Sequence, residues 1–222
     1  MRELSKTING TEISYYEAGK GQTIVFIHGW AASKLYFKLI IPELAKTHRC
    51  VAIDLPGFGS SPHPNFPTTI QNLAKITKQV IATLTEGNVV LCAHSLGCNI
   101  ASIVAAENQQ MVERLIMVNP LISGRKSLWM KPRISCLPVI ARIMYYVYKS
   151  RMLRGWISRE LAVVDNVIPD EIVPTPTFAD CNDWLSSFFE EDYNERARRL
   201  ASLKMPVYII NCDGDQLVRP VE

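Results

Sequence analysis

A chain of 222 residues that is 48% hydrophobic and 20% charged holds enough apolar side chain for one full core plus an insertion. Its net charge of +3 is too small to mark nucleic acid as a partner. The start, Met1-Arg2-Glu3-Leu4-Ser5-Lys6, is not expected to be a signal peptide, because it lacks an apolar core. No run reaches the roughly 18 apolar residues of a membrane span. The nearest, Cys136 to Tyr148, is interrupted by Pro138 and Arg142. The six cysteines, Cys50, Cys92, Cys98, Cys136, Cys181 and Cys212, fit no zinc spacing and read as buried reduced thiols of a cytoplasmic protein.

Thr11 to Ala18 alternates and predicts an edge strand before the turn at Gly19-Lys20-Gly21. Thr23 to Ile27 is continuously apolar, as a strand buried on both faces should be. His28-Gly29-Trp30 follows at its carboxyl end, and helical spacing runs from about Leu35 to Ala45. The next strand, Cys50 to Ile53, ends in the turn cluster Asp54-Leu55-Pro56-Gly57-Phe58-Gly59. Thr68 or Thr69 can cap a helix that runs to about Leu84. Asn88 to Cys92 is a strand, Leu96 to about Glu107 a helix, and Val112 to Val118 a further strand. Strands and helices alternate with short connections, which predicts an α/β fold with a mostly parallel, doubly wound sheet. In such sheets sites form at the carboxyl ends of strands, where His28-Gly29-Trp30, Asp54 and Ser95 all fall.

The alternation breaks from 121 to 204, a stretch helical in flavour and rich in aromatic residues. From Arg125 to Arg159 every charged residue is basic, and acids dominate from Glu160 to Glu195. The sheet resumes at Pro206 to Asn211. Residues 1–120 and 205–222 therefore form the expected core, and 121–204 a helical cap, or lid, placed to cover the site.

The centre of the chain is Val89-Val90-Leu91-Cys92-Ala93-His94-Ser95-Leu96-Gly97. An apolar strand stops at a small residue and a helix begins just past a serine. That is the nucleophile-elbow pattern G-x-S-x-G with Ala93 in the first glycine place. The turn is tight and the helix returns against the strand, so positions two before and two after the serine have little room. The helix start also brings unpaired backbone N–H groups beside the hydroxyl. Cys92 and Cys98 flank the elbow, but one falls in the strand and the other inside the helix, which argues against either as nucleophile.

With His28-Gly29-Trp30, Asp54 to Ser61, Ala93 to Gly97 and Cys212-Asp213-Gly214-Asp215-Gln216-Leu217-Val218 in this order, the chain resembles the α/β-hydrolase superfamily over nearly its whole length. Its pattern is most similar to small serine carboxylesterases, and within them to the biotin-pathway methyl esterases that act on pimeloyl-carrier-protein methyl ester. The resemblance implies Ser95 as nucleophile and Asp215 as triad acid, with Asp213 second. It also implies the amides of Trp30 and Leu96 as oxyanion hole, with the Trp30 ring lining an acyl pocket. No metal or organic cofactor is implied. The implied partners are a small-molecule ester and, through the basic half of the cap, an acyl carrier protein or a lipid headgroup. A serine at the elbow argues against the similar dehalogenases and epoxide hydrolases, which use a carboxylate there.

The bland readings stand beside these: Asp215 as turn chemistry, Trp30 as packing, His28 as a residue that orders its loop, Asp54 as a structural turn residue. The triad order in this fold is Ser, acid, His, yet the four histidines, His28, His48, His63 and His94, all precede Ser95. Two expectations follow. Either the sequence is a fragment of an esterase whose base lies beyond Glu222, or it is a catalytically inactive hydrolase fold that binds a ligand. On either, the 222 residues alone are expected to show little turnover.

Overall fold

The computed structural model describes residues 1–30, 32–120, 137–150, 177, 179, 181–183, 185–186 and 193–211. Seven strands form one sheet in the order β1-β2-β4-β3-β5-β6-β7. They are β1 (Arg2–Ile8), β2 (Thr11–Ala18), β3 (Thr23–Ile27), β4 (Arg49–Ile53), β5 (Val89–His94), β6 (Val112–Val118) and β7 (Val207–Ile210). β3 runs parallel to β4 and β5, and β6 runs parallel to β5 and β7. Only the hairpin β1–β2 and the β2–β4 pairing are antiparallel.

The apolar runs account for this layout. Every residue of β3 is buried, as a strand between two parallel neighbours and two helical layers requires. One face carries α2 (Ile70–Leu84) and α3 (Leu96–Glu107), whose Ile70, Leu73, Ile81, Ile100 and Val104 pack with Val25, Ile27, Leu91 and Leu115 of the sheet. The other face packs Phe26, Cys50, Ala52 and Cys92 against Phe37 and Ile41. The inner strands of the sheet are therefore covered on both sides, whereas Tyr208, Ile209 and Ile210 of β7 stay half exposed. The Thr69 hydroxyl accepts from the Asn72 amide, so Thr69 is the cap of α2.

Three features differ from the sequence reading. The edge strand is β1, not Thr11 to Ala18; β2 is an inner strand between β1 and β4. The expected helix from about Leu35 to Ala45 is split into a 3-10 turn, Lys34–Phe37, and a short α1, Ile41–Leu44. Pro42 in the first turn of α1 explains the break, because it has no N–H to donate to the carbonyl four residues back and so is tolerated only where a new helix starts. Finally, β5 extends through His94 to the corner itself.

Of the stretch 121–204, the described residues contain no strand. They include α4 (Leu137–Lys149) and α5 (Tyr193–Ala201), with helical residues at 179, 181–183 and 185–186 between them. The Thr68 amide donates to Asp183 Oδ2 at 3.0 Å, tying that region to the start of α2. α5 lies against α3, where Arg199 donates to the Ser102 hydroxyl at 3.3 Å. Among the described cysteines, Cys50, Cys92, Cys98 and Cys181 are buried free thiols. Burial pushes the Cys92 thiol up to about 11 and the Cys98 thiol higher still, which keeps both in the unreactive protonated form. No described helix is long and apolar enough to cross a membrane.

Candidate active site

The corner between β5 and α3 is built by close approach. A Cβ on Gly97 would lie 2.4 Å from the carbonyl oxygen of Ile27 and 2.6 Å from that of His28. Only a bare backbone lets α3 come so near the end of β3. Ala93, in the other small-residue position, is fully buried. Between them Ser95 sits at φ 51°, ψ −117°, a left-handed conformation that costs a non-glycine residue about 1–3 kcal/mol. Its amide donates to the Val118 carbonyl at 3.0 Å, and its carbonyl accepts from the Cys98 amide at 3.0 Å. The corner is thus held from both sides, and Ser95 itself is half-buried.

The loop after β3 closes on this corner. A Cβ on Gly29 would lie 3.0 Å from Ser95 Cβ and 3.1 Å from His94 Nδ1. Trp30, one residue on, is half-buried and meets Phe58 edge-to-face at 5.4 Å. Leu96 is the first residue of α3 and fully buried. Its amide is among those at a helix start that have no carbonyl to bond within the helix. His94 stacks on Tyr36 with ring centroids 4.4 Å apart, its Nε2 3.2 Å from the Tyr36 hydroxyl. Asp215 and Asp213 lie outside the described residues.

The turn at 54–61 pins the loop 28–34 at both ends. At the first, His28 is fully buried. Its Nε2 lies 3.0 Å from the Leu55 amide, which can only donate, so Nδ1 carries the proton and donates to the Gly29 carbonyl at 2.8 Å. Burial, partly opposed by the Asp54 carboxylate, holds the imidazole below its ordinary value. With both nitrogens used and the ring neutral, His28 orders the loop and is unsuited to shuttling protons. At the second end stands Lys34, which the sequence reading did not single out. Its ammonium lies 2.5 Å from Asp54 Oδ2, 3.0 Å from Glu3 Oε1 and 3.0 Å from the Ser14 hydroxyl. Its amide donates to Asp54 Oδ1 at 2.6 Å, and the Ser60 amide donates to Oδ2 at 2.8 Å. Burial pulls the Lys34 ammonium down, but Asp54 and Glu3 outweigh it and hold Lys34 above its ordinary value.

Breaking one partner of a buried pair leaves an uncompensated charge, which costs about 3–5 kcal/mol. Asp54→Asn alone is therefore expected to lower stability more than Lys34→Met/Asp54→Asn, because the double variant also removes the stranded ammonium. A double-mutant cycle by urea unfolding should give a coupling of at least about 1 kcal/mol; additive losses would show the pair is not what holds the loop. The strain at Ser95 has its own signature. Ser95→Gly should be more stable than Ser95→Ala by about 1 kcal/mol, since glycine takes this backbone without penalty; equal midpoints would contradict the strained corner.

These features meet the comparisons with known proteins. A family model described as the alpha/beta hydrolase fold matches residues 22–149. A soluble epoxide hydrolase of Corynebacterium sp. (strain C12) is 31% identical over 112 residues, covering 50% of this chain and 39% of that protein. The 2-hydroxy-6-oxo-6-(2'-aminophenyl)hexa-2,4-dienoic acid hydrolase of Metapseudomonas resinovorans is 30% identical over 113 residues, 49% of this chain and 39% of its own. The matched part therefore spans less than half the length of these curated relatives. Among solved structures, the N-acyl homoserine lactonase AidH superposes with a TM-score of 0.77 at 18% identity, over 95% of this chain and 78% of that one. At that identity the likeness is one of fold. With more than half of its residues inside the family model, the chain belongs to the alpha/beta hydrolase family.

Proposed function

We propose that the chain carries the acylation site of a serine hydrolase acting on a carboxylic ester, with Ser95 as nucleophile. The observation that supports this most is the Ser95 corner: a strained, half-buried hydroxyl residue between a buried strand and a helix start, with the Gly29–Trp30 loop against it. Maintaining that strain serves no packing purpose, since glycine would relieve it, and such strain gathers at functional sites.

In this reading the Ser95 oxygen attacks the ester carbonyl and its proton passes to a base. The developing oxyanion takes hydrogen bonds from the amides of Trp30 and Leu96, and the alcohol leaves as the acyl-enzyme forms. Water then attacks the acyl-enzyme and releases the acid, returning the hydroxyl to Ser95. Asp215 is proposed as the acid that orients the base, and the Trp30 ring as a wall of the acyl pocket. His28 is not that base, because both its nitrogens are engaged. The relatives' names span an epoxide, a dienoic acid and a lactone. A hydroxyl rather than a carboxylate at the corner favours acyl transfer over epoxide opening. A helical cap over 121–204 and an acyl-carrier-linked substrate belong to the same reading.

A fluorophosphonate probe tests it. Full-length protein that supplies a base should form an adduct that peptide mass spectrometry maps to Ser95, and Ser95→Ala should remove both the adduct and any hydrolysis of p-nitrophenyl acetate. Labelling no faster than in Ser95→Ala, with ligand binding unaffected by that substitution, would move the chain to the alternative of a hydrolase fold that binds without turnover.

A further inference from the structure

We infer that the outer face of α4 docks the protein on an anionic lipid surface. The helix has two unlike faces. Its inner face places Ala141, Ile140 and Tyr145 in one apolar cluster with Cys181 and Leu185, a cluster that Trp30 also packs against. Its outer face presents Val139, Ile143 and Tyr146, exposed by 60%, 59% and 59%. At 100° per residue these three share an arc of about 120° with Arg142 and Lys149, both exposed as well.

Three large apolar side chains exposed to water, with two cations along one flank, are unlike a solvated helix face. They match the layering of a bilayer interface, where hydrocarbon takes the apolar tips and phosphates meet cations that reach up along flexible stems. The sign of the charge selects the surface. From Arg125 to Arg159 the sequence carries nine basic residues and no acid, so this stretch attracts an anionic leaflet without a carboxylate of its own to repel it. An acidic protein would meet the cations but leave Val139 and Ile143 without apolar partners. α4 is a helix of 13 residues, about 20 Å long, too short to span, and it binds lying in the plane of the interface. This docking does not depend on Ser95 chemistry.

Co-sedimentation with vesicles tests it, using the full chain and its Ser95→Ala variant alike. Both should bind phosphatidylcholine/phosphatidylglycerol vesicles, bind pure phosphatidylcholine far less, and release at high salt. Arg142→Glu/Lys149→Glu should weaken the partition by about tenfold or more. Val139→Asp/Ile143→Asp should do the same, with circular dichroism and the thermal midpoint unchanged, as expected for exposed positions. The inference is overturned if the anionic vesicles fail to retain the chain, if folded variants bind as well as wild type, or if the same face captures an acidic carrier protein in preference to vesicles.

Discussion

The geometry of the site depends on one close approach, that of α3 to the end of β3. Gly97 passes the carbonyl oxygens of Ile27 and His28 at a distance no side chain would allow. That contact fixes where α3 begins, and β5 must therefore turn sharply to reach it. The turn falls on Ser95, which takes the positive φ that a smooth strand-to-helix connection would avoid. Each part of the corner follows from it: the half-buried hydroxyl residue, the helix amides beside it, and the Gly29 loop in contact from the other side.

That loop is held by charge rather than by regular structure. The turn at 54–61 grips it through Leu55 on His28 and through Asp54 on Lys34. A neutral imidazole and a charged ammonium are kept in opposite states within one cluster because their partners differ. His28 accepts from an amide, whereas Lys34 faces two carboxylates and two hydroxyls. A buried ion pair adds little net stability when its alternative is apolar packing. Here it gives fixed direction to the loop 28–34, which has Gly29 near its start.

The sequence showed most of the sheet because its inner strands are apolar and continuous; Thr23 to Ile27 and Val112 to Val118 could be placed to the residue. The elbow was legible for a related reason, since tight packing restricts positions 93 and 97 to small residues. β1 escaped because an outer strand with mostly exposed residues has no burial pattern to print on its sequence. Apolar spacing alone overextends the helix after Lys34, because that spacing continues across Pro42 while the backbone hydrogen bonding does not. Lys34 itself was invisible: a lone lysine in an amphipathic run reads as solvated, and its carboxylate partner lies twenty positions away. Asp54 reads as a turn residue and is one, but its ionic role shows only in three dimensions.

α4 is linked to the site through Trp30, whose ring meets Phe58 edge-to-face and packs against the cluster of Ala141, Cys181 and Leu185. Anything that displaces α4 therefore reaches the loop that lies against Ser95. The most direct measurement is a crystal structure of the full-length protein after reaction with a fluorophosphonate. The account predicts phosphorus bonded to Ser95 Oγ, with the phosphoryl oxygen within hydrogen-bond distance of the backbone nitrogens of Trp30 and Leu96. A phosphoryl oxygen turned to solvent, or phosphorus on any other residue, would contradict it.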